Sequence, residues 1–375
     1  MIPYGRQSID EEDILAVVQA LRSDWLTTVP LVQQFEGAIQ NYIGAPTVVV
    51  SSGTAALHCA FSAIELKEND EIITPPLTFI ATQATAATFG ARIVFADIQI
   101  NTGNIDPEHV LKAITPRTKA IVAVDYAGHP ADLDELRKIA DENGIYLIED
   151  AAHSFGSKYK GQHIGSIADL TTFSFFPTKN ITTGEGGAVA SQNSQLLEKV
   201  RRFSRQGLIR DPALFQISGQ GAWHQEVHDF GLNYRLPDIL CALGLSQLTK
   251  AELLKKKRRV IFETYRSLLQ SCDAIRLPIQ QEHVDVNWHL YPIRVAPNLR
   301  MKIFDELRRN GIGVQVNYLP AHLHPVFRKM GYCPGDFPIS EEFYESEISL
   351  PIYPNLEIHQ VEKVAEVLIG IIKNL

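Results

Sequence analysis

Short apolar runs alternate with helical segments along residues 46–150, and this alternation restricts the possible fold more than any other feature of the sequence. The clearest unit covers residues 120–150: Ile121 begins an apolar run typical of a buried strand, Asp132 opens a helix, and Gly144 suits the C-terminal cap of that helix. The same pattern predicts further strands at residues 47–50, 71–74, 92–97, 145–149, 170–175 and 188–191. Strands that alternate with helices predict an α/β fold with a mainly parallel sheet flanked by helices.

The last third of the chain has a different pattern of predicted secondary structure. The pattern there predicts short strands at residues 289–295 and 313–318 and helices at residues 302–310 and 356–373. A chain of 375 residues is long enough for two domains. We therefore expect a large domain with the N-terminal segment over residues 1–245 and a smaller C-terminal α+β domain over residues 246–375.

A loop-rich tract at residues 207–233 and a long helical segment at residues 237–269 connect these two parts. The helical segment carries a basic run at residues 255–259, whereas the whole chain has 43 acidic and 35 basic residues and a net charge of −8. An acidic chain is a poor partner for nucleic acid or for an anionic membrane. The basic run is therefore predicted to be a solvated helix face.

The composition is that of a globular protein, with 45% hydrophobic and 21% charged residues. The four cysteines, Cys59, Cys241, Cys272 and Cys333, are widely separated and have neither disulfide-framework nor metal-ligand spacing. The first residues lack the apolar stretch of a signal peptide, and no run approaches the roughly 18 apolar residues of a membrane span. We expect a cytoplasmic protein with reduced cysteines, no membrane segment and no metal site.

Three chemically useful residues follow predicted strands. Thr54 follows the strand at 47–50, Asp150 follows the strand at 145–149, and Lys179 follows the strand at 170–175. Ligands of parallel sheets bind at the carboxyl ends of the strands, so these residues are predicted to share one site. Taken singly, Lys179 reads as a solvated loop lysine and Thr54 as part of an ordinary helix cap, since both roles are common.

The combination fits pyridoxal phosphate (PLP). That cofactor needs an amine to bind its aldehyde, an anion site for its phosphate, and a carboxylate beside its ring nitrogen. Lys179 supplies the amine and Asp150 the carboxylate, while Ser174 and the Ser-Gly-Thr helix start at residues 52–54 supply the anion site. Phe79 follows another strand, where its ring could stack on the cofactor.

The chain resembles the DegT/StrS family of sugar aminotransferases over essentially its whole length. The resemblance rests on SSGTAAL at 51–57, EDAAHS at 149–154, SFFPTKN at 174–180, GEGG at 184–187 and LNYRL at 232–236. It implies the type I, aspartate-aminotransferase-like fold of PLP-dependent transferases. It also implies that Lys179 forms the Schiff base with PLP and moves the proton during the reaction.

The resemblance assigns further residues as well. Asp150 would pair with the ring nitrogen of PLP and His153 would lie against the ring. Gly53, Thr54 and Ser174 would bind the phosphate, and Phe79 would stack on the ring. Asn233 would reach the cofactor phosphate of the neighbouring subunit, which implies a homodimer with shared active sites. The residues expected to contact the substrate are Tyr4, Asp24, Trp25, Leu26, Thr27, Gln315, Val316, Asn317 and Tyr318.

A finer likeness within the family rests on SDWLT at 23–27, VDYAG at 124–128, NITTGEGG at 180–187 and NWHLYP at 287–292. It implies transfer of an amino group from L-glutamate to the 4-keto carbon of a UDP-linked 4-keto-6-deoxy-N-acetylhexosamine. Another nucleotide-sugar 3- or 4-aminotransferase, acting on a dTDP-, GDP- or UDP-linked keto sugar, is the alternative.

Other classes of function fit the sequence less well. Sugar 3-dehydratases of the same family carry histidine in place of the lysine, and this chain has Lys179. An NAD-type sugar epimerase or oxidoreductase would need a Gly-x-Gly-x-x-Gly motif after a strand, and no predicted strand is followed by one. A non-catalytic scaffold would not need both Lys179 and Asp150.

Overall fold

A seven-stranded sheet lies at the centre of the fold. The computed structural model describes residues 1–27 and 30–375. Its strands are β1 (Thr47–Val50), β2 (Glu71–Thr74), β3 (Arg92–Phe95), β4 (Thr118–Val124), β5 (Tyr146–Asp150), β6 (Lys158–Tyr159), β7 (Gln162–His163), β8 (Leu170–Ser174), β9 (Gly187–Ala190), β10 (Leu208–Ile209), β11 (Glu226–Val227), β12 (Val284–Asp285), β13 (Tyr291–Arg294) and β14 (Glu347–Leu350). The central sheet has the order β1-β9-β8-β5-β4-β2-β3. β9 runs antiparallel to β1 and β8, and the other pairs are parallel, which confirms the mainly parallel sheet.

Helices cover both faces of this sheet. The α-helices are α1 (Glu11–Leu21), α2 (Leu31–Ile43), α3 (Gly53–Ala63), α4 (Ala81–Ala87), α5 (Pro107–Ala113), α6 (Leu133–Asn143), α7 (Ser194–Phe203), α8 (Asp238–Thr249), α9 (Ala251–Leu269), α10 (Pro297–Arg309), α11 (Pro325–Arg328), α12 (Pro338–Ser346) and α13 (Ile358–Lys373). Val48 and Val50 share a hydrophobic cluster with Phe61 of α3, whereas Val49 belongs to the cluster of Phe35 in α2. Side chains alternate between the faces of a strand, so both faces are buried, as parallel sheets require.

The strand register places the predicted site residues along one edge of the sheet. Val124 is paired with Asp150, and Asp150 is paired with Thr172, so β4, β5 and β8 end side by side. α3 begins at Gly53, three residues after β1 ends, with the Ser52 hydroxyl as its N-cap. The carboxyl ends of these strands and the N-terminus of α3 therefore meet on the same side of the fold.

The basic run at residues 255–259 is only partly a solvated face, and the prediction was wrong for two of its residues. Lys255 and Arg258 are 5% and 1% exposed. Lys255 Nζ lies 2.8 Å from Asp285 and also donates to the carbonyl of Gly156. Arg258 donates to the carbonyls of Trp288 and Ile352, so α9 turns its charged face toward the rest of the fold at these positions.

Three other predicted elements differ from the structure. The helical segment at 237–269 is divided into α8 and α9 at Lys250, whose φ and ψ of −104° and 2° depart from helical values. The strand predicted at 313–318 does not form: Gln315 makes an isolated pairing with Ser349, and no ladder extends from it within the described residues. The predicted strand at 289–295 is shorter and begins at Tyr291.

The C-terminal elements form a smaller α+β arrangement, with β13 paired antiparallel to β14 and α10, α12 and α13 around them. One hydrophobic cluster runs through both parts of the chain, from Phe35 to Leu368. The division at residue 245 stays a prediction, and that position lies inside α8. Among the described residues, no helix has the length and apolar character needed to cross a membrane.

Candidate active site

A cavity of about 440 Å³ opens at the carboxyl ends of the central strands. It brings together residues from the N-terminal segment, the central sheet and the C-terminal part. The predicted site residues that line it are Tyr4, Gly53, Thr54, Phe79, Asp150, His153, Ser174, Lys179, Asn317 and Tyr318. The sequence argument that placed Thr54, Asp150 and Lys179 at one site therefore agrees with the geometry.

The other predicted residues do not line this cavity. Those that are not among its lining residues are Asp24, Trp25, Leu26, Thr27, Asn233, Gln315 and Val316. Trp25 is 61% exposed, and the carbonyl of Leu26 accepts a hydrogen bond from the backbone N–H of Asp238 at the start of α8. Asn233 is exposed in the loop before α8, where its Oδ1 accepts a hydrogen bond from Arg235. Their predicted contacts with substrate or with a second subunit stay predictions.

Lys179 lies in the loop that follows β8. Its backbone N–H donates to the carbonyl of Phe176 at 2.9 Å, which turns the chain back toward the cavity, and its side chain is half-buried there. Burial lowers the pKa of Lys179 to about 8, although the charge of Asp150 acts in the opposite direction. A useful fraction of this amine is therefore neutral near neutral pH, which nucleophilic attack on a carbonyl requires.

This lowered pKa predicts the pH dependence of cofactor uptake. A neutral amine reacts and an ammonium does not, so the rate at which PLP attaches to the cofactor-free protein should rise through a midpoint near pH 8. An ordinary lysine would give a midpoint of about 10.4. Stopped-flow absorbance from pH 6 to 10 measures it. A midpoint above pH 10 would contradict the burial that we describe, and Asp150→Asn should move the midpoint to lower pH.

Asp150 is the last residue of β5 and is 6% exposed. Thr82 Oγ1 donates to its Oδ2 at 2.7 Å, and the backbone N–H of Ala152 donates to its Oδ1 at 3.2 Å. Burial raises the pKa of Asp150, whereas these two hydrogen bonds and the charge of Lys179 lower it. A buried carboxylate held by two donors favours a cationic partner in the cavity, and a protonated ring nitrogen is such a partner.

His153 forms part of the cavity wall close to Asp150. Its Nε2 lies 3.3 Å from the hydroxyl of Tyr318, and its ring centroid is 4.4 Å from that of His289. Burial, with a smaller effect from Lys179, lowers the pKa of His153 well below its usual value, so the ring is neutral. Its Nδ1 is buried and makes no hydrogen bond within the described residues. A buried nitrogen without a hydrogen-bond partner is energetically costly, so this Nδ1 is available to a polar group of a bound ligand.

The N-terminus of α3 closely approaches the end of β8. A Cβ on Gly53 would lie only 2.8 Å from Cβ of Ser174, so this approach requires glycine. The Ser52 hydroxyl accepts from the backbone N–H of Ala55, whereas the first N–H groups of any helix have no intrahelical acceptor. With the hydroxyls of Thr54 and Ser174 on the same cavity, this is an anion site suited to a phosphate. The described residues therefore fit PLP.

Thr82, Tyr126 and His289 are among the residues in or beside this site that sequence reasoning missed. Thr82 in α4 contacts Asp150 across 68 positions of the chain. His289 lines the cavity but was assigned to the start of a strand, and Tyr126 lines it directly after β4. The rule that ligands bind at the carboxyl ends of parallel strands could have found Tyr126, whereas no local signal distinguishes Thr82 or His289.

The chain is similar to known proteins over nearly its full length. Residues 7–369 match the model of the DegT/DnrJ/EryC1/StrS aminotransferase family. An uncharacterized protein of Methanocaldococcus jannaschii is 44% identical over 362 residues, which cover 95% of this chain and 93% of the relative. The UDP-4-amino-4,6-dideoxy-N-acetyl-β-L-altrosamine transaminase of Campylobacter jejuni serotype O:23/36 is 35% identical, covering 100% of this chain and 98% of that protein.

Solved structures have the same fold. A Streptococcus pneumoniae protein in its PMP form superimposes with a TM-score of 0.94 at 31% identity and 100% coverage of both chains, and its PLP form gives 0.93. Helicobacter pylori PseC, an aminotransferase involved in the biosynthesis of pseudaminic acid, gives a TM-score of 0.92 at 32% identity, again with 100% coverage of both chains. These matches confirm the predicted family, type I fold and cofactor. The chain therefore belongs to the DegT/DnrJ/EryC1/StrS aminotransferase family and is a PLP-dependent sugar aminotransferase.

Proposed function

We propose that the protein transfers an amino group from L-glutamate to the 4-keto carbon of a UDP-linked 4-keto-6-deoxy-N-acetylhexosamine. The product would be UDP-4-amino-4,6-dideoxy-N-acetyl-β-L-altrosamine, an intermediate of pseudaminic acid biosynthesis. The observation that carries this proposal is a single cavity that holds the Lys179 amine, the Asp150 carboxylate and an anion site. The Campylobacter jejuni and Helicobacter pylori relatives support the choice of sugar.

Each of these cavity residues would have a separate role in the reaction. When bound, PLP supplies an aldehyde carbon that combines with amines and a ring that accepts an electron pair. Lys179, with a pKa of about 8, can attack as the neutral amine and afterwards carry a proton between two carbon atoms. Asp150 would stabilise positive charge on the ring nitrogen of the bound cofactor. Gly53, Thr54 and Ser174 would hold the phosphate.

The aromatic side chains would shape the substrate side of the cavity. Phe79 is 58% exposed, and its ring centroid lies 6.1 Å from that of Tyr318. The two rings could cover the cofactor and exclude water from the reacting carbon. Exclusion of water strengthens the electrostatic interactions of Asp150 and Lys179 in the site. The Tyr318 hydroxyl beside His153 also gives a polar group that a sugar hydroxyl could contact.

A homodimer with shared active sites is part of the proposal. The loop before α8 exposes large apolar side chains, including Trp223 at 79% and Phe230 at 97%. Exposed apolar groups of this size are typical of surfaces that another chain covers. Asn233 lies at the end of the same loop, from which it could reach the phosphate of a second subunit. A cytoplasmic location is supported by the four unpaired cysteines.

A second candidate is an aminotransferase for a different nucleotide-linked keto sugar. The observation that favours it is the level of identity, since the altrosamine transaminase is 35% identical and the uncharacterized archaeal protein is 44% identical. Related enzymes of this kind differ in which ring carbon they aminate and in which nucleotide they accept.

We expect the PLP-loaded protein to aminate UDP-linked 4-keto-6-deoxy-N-acetyl sugars with glutamate as donor. Its kcat/KM for the preferred sugar should exceed that for dTDP- or GDP-linked sugars by about 100-fold, because the contacts of a shaped site discriminate at this level. Product formation is followed by chromatography, and NMR gives the aminated carbon and its configuration. The Lys179→Ala protein is the matched blank. Amination at another carbon, or equal rates with a dTDP sugar, would favour the second candidate.

A further inference from the structure

Three side chains of the cavity, those of Tyr4, Tyr126 and His153, are joined into one wall by the segment that contains Asn317 and Tyr318. The hydroxyl of Tyr126 donates to the backbone carbonyl of Asn317 at 2.6 Å, and Asn317 Nδ2 donates to the hydroxyl of Tyr4 at 2.7 Å. Tyr318 contacts His153 through its hydroxyl. Asn317 and Tyr318 thus connect the N-terminal residues, the central sheet and the C-terminal part at the edge of the cavity.

A buried carboxyl group holds this segment from behind. Glu347, the first residue of β14, accepts the backbone N–H of Asn317 on its Oε2 at 2.8 Å. Its Oε1 accepts the hydroxyl of Ser349 at 2.5 Å, and Ser349 Oγ accepts from Asn317 Nδ2 at 2.9 Å. Both the backbone and the side chain of Asn317 are therefore fixed by two residues of one strand.

Glu347 and Ser349 are fully buried and do not line the cavity. They share one face of β14, since residues two apart in a strand point the same way, whereas Ile348 and Leu350 are apolar and point to the other face. None of the ion pairs among the described residues includes Glu347. Burial raises the pKa of Glu347 to about 8, and the hydrogen bonds from Ser349 and Asn317 oppose this effect.

A buried carboxyl group with no ion-pair partner among the described residues is costly, although the charge of Arg300 and the hydrogen bonds from Asn317 and Ser349 reduce that cost. Glu347 determines the position of Asn317, because its two carboxyl oxygens accept hydrogen bonds from the Asn317 N–H and from the Ser349 hydroxyl. We propose that Glu347 is a positioning residue for the sugar half of the reaction, because it fixes the wall formed by Tyr4, Asn317 and Tyr318. This inference rests on the proposed function, which assigns those three residues to the sugar.

Two substitutions of Glu347 test this proposal. Glu347→Leu removes both acceptors, and Glu347→Gln keeps the shape and one acceptor but places an amide NH₂ group beside Ser349. The exposed Glu345, two residues earlier in α12, provides the matched control as Glu345→Gln. All variants are first loaded with PLP, and retained cofactor binding shows that they have folded.

The two half-reactions are then measured separately. We expect Glu347→Leu to lower kcat/KM for the keto sugar by about 100-fold, mainly through KM, because a displaced wall misplaces the substrate. Glu347→Gln should lie between this variant and the unaltered enzyme. Single-turnover conversion with glutamate should change less than about twofold in both, since glutamate does not need the sugar wall. Equal losses in both half-reactions would show a merely structural role and overturn the proposal.

Hydrogen–deuterium exchange gives a readout that does not depend on activity. The amide of Asn317 should exchange at least about tenfold faster in Glu347→Leu, because its acceptor is lost. Peptides from β5 and β8 should not change, and Glu345→Gln should match the unaltered protein throughout. Unchanged exchange at residues 313–319 would overturn the proposal even if activity fell. If the unaltered enzyme used no nucleotide sugar, the proposed function and the assignment to the sugar half would both fail, while exchange would still decide whether Glu347 holds the segment.

Discussion

Replacement of Lys179 by alanine is expected to lower the rate of amino transfer by about 10⁴-fold or more, since proton transfer by a positioned side chain contributes up to that factor and covalent attachment is lost as well. Lys179 is the lysine that lines the cavity, and burial lowers its pKa to about 8. The cofactor should still bind through its phosphate and through Asp150. Single-turnover absorbance with glutamate measures the effect on chemistry directly.

Lys179→Arg separates the two properties of the side chain. Arginine keeps the positive charge but cannot become neutral in a protein, so we expect a loss as large as that of Lys179→Ala. Lys256→Ala, on the exposed side of α9, is the control and should behave like the unaltered enzyme. If Lys179→Arg kept more than a tenth of the activity, the neutral amine would not be the acting group and our assignment would be wrong.

The parts of the fold that the sequence predicted well are those with local causes. The unit at 120–150 appears as β4, α6 and β5, and Gly144 ends α6 with a positive φ of 63°. A continuous apolar run, a helix start and a glycine cap lie close together in the chain, so their pattern is readable without knowledge of the rest of the fold. The same logic placed Asp150 and Lys179 at strand ends.

The errors have long-range causes. Residues 313–318 alternate like a strand, yet Asn317 gives its backbone N–H to the Glu347 side chain, so no ladder continues there. Arg258 lies in a basic run that reads as solvated, but carbonyl groups 30 and 94 positions away accept its N–H groups. Such partners are set by tertiary packing, and a pattern of residue types within one segment does not contain them.

The site residues also separate into those that the sequence predicts and those that it does not. Lys179, Asp150 and the start of α3 were predictable because each follows a strand, and strand ends share an edge. Thr82 and Glu347 were not, because each acts on a cavity residue through a hydrogen bond that spans tens of positions, 68 for Thr82 and 30 for Glu347. Groups that hold the contacting residues in place are thus the ones that only the three-dimensional structure reveals.

Asp150→Asn is expected to lower the rate of both half-reactions by about 10³-fold, because an adjacent carboxylate raises the pKa of a cationic group by up to about 3 units and each unit is tenfold. The amide keeps the size of the side chain and can still accept from Thr82, so the fold should be unchanged. Steady-state rates with glutamate and the keto sugar, and the pH titration of the bound cofactor's absorbance, measure the effect. Asp141→Asn, on the solvent side of α6, is the matched control.

Thr82→Val gives a graded test of the same carboxylate. The Thr82 hydroxyl stabilises the ionised form of Asp150, so its loss should raise the pKa of Asp150 further. Because the ionised form supports the reaction, the acid limb of the pH–rate profile should move to higher pH, with activity largely restored at alkaline pH. In Asp150→Asn the contribution of this carboxyl group to the acid limb should disappear, since no carboxylate remains to be protonated, while the contribution of Lys179 remains. Two results together would contradict this role of Asp150: an unchanged acid limb in Thr82→Val and full activity of Asp150→Asn. They would show that the Asp150 carboxylate does not keep the ring nitrogen protonated.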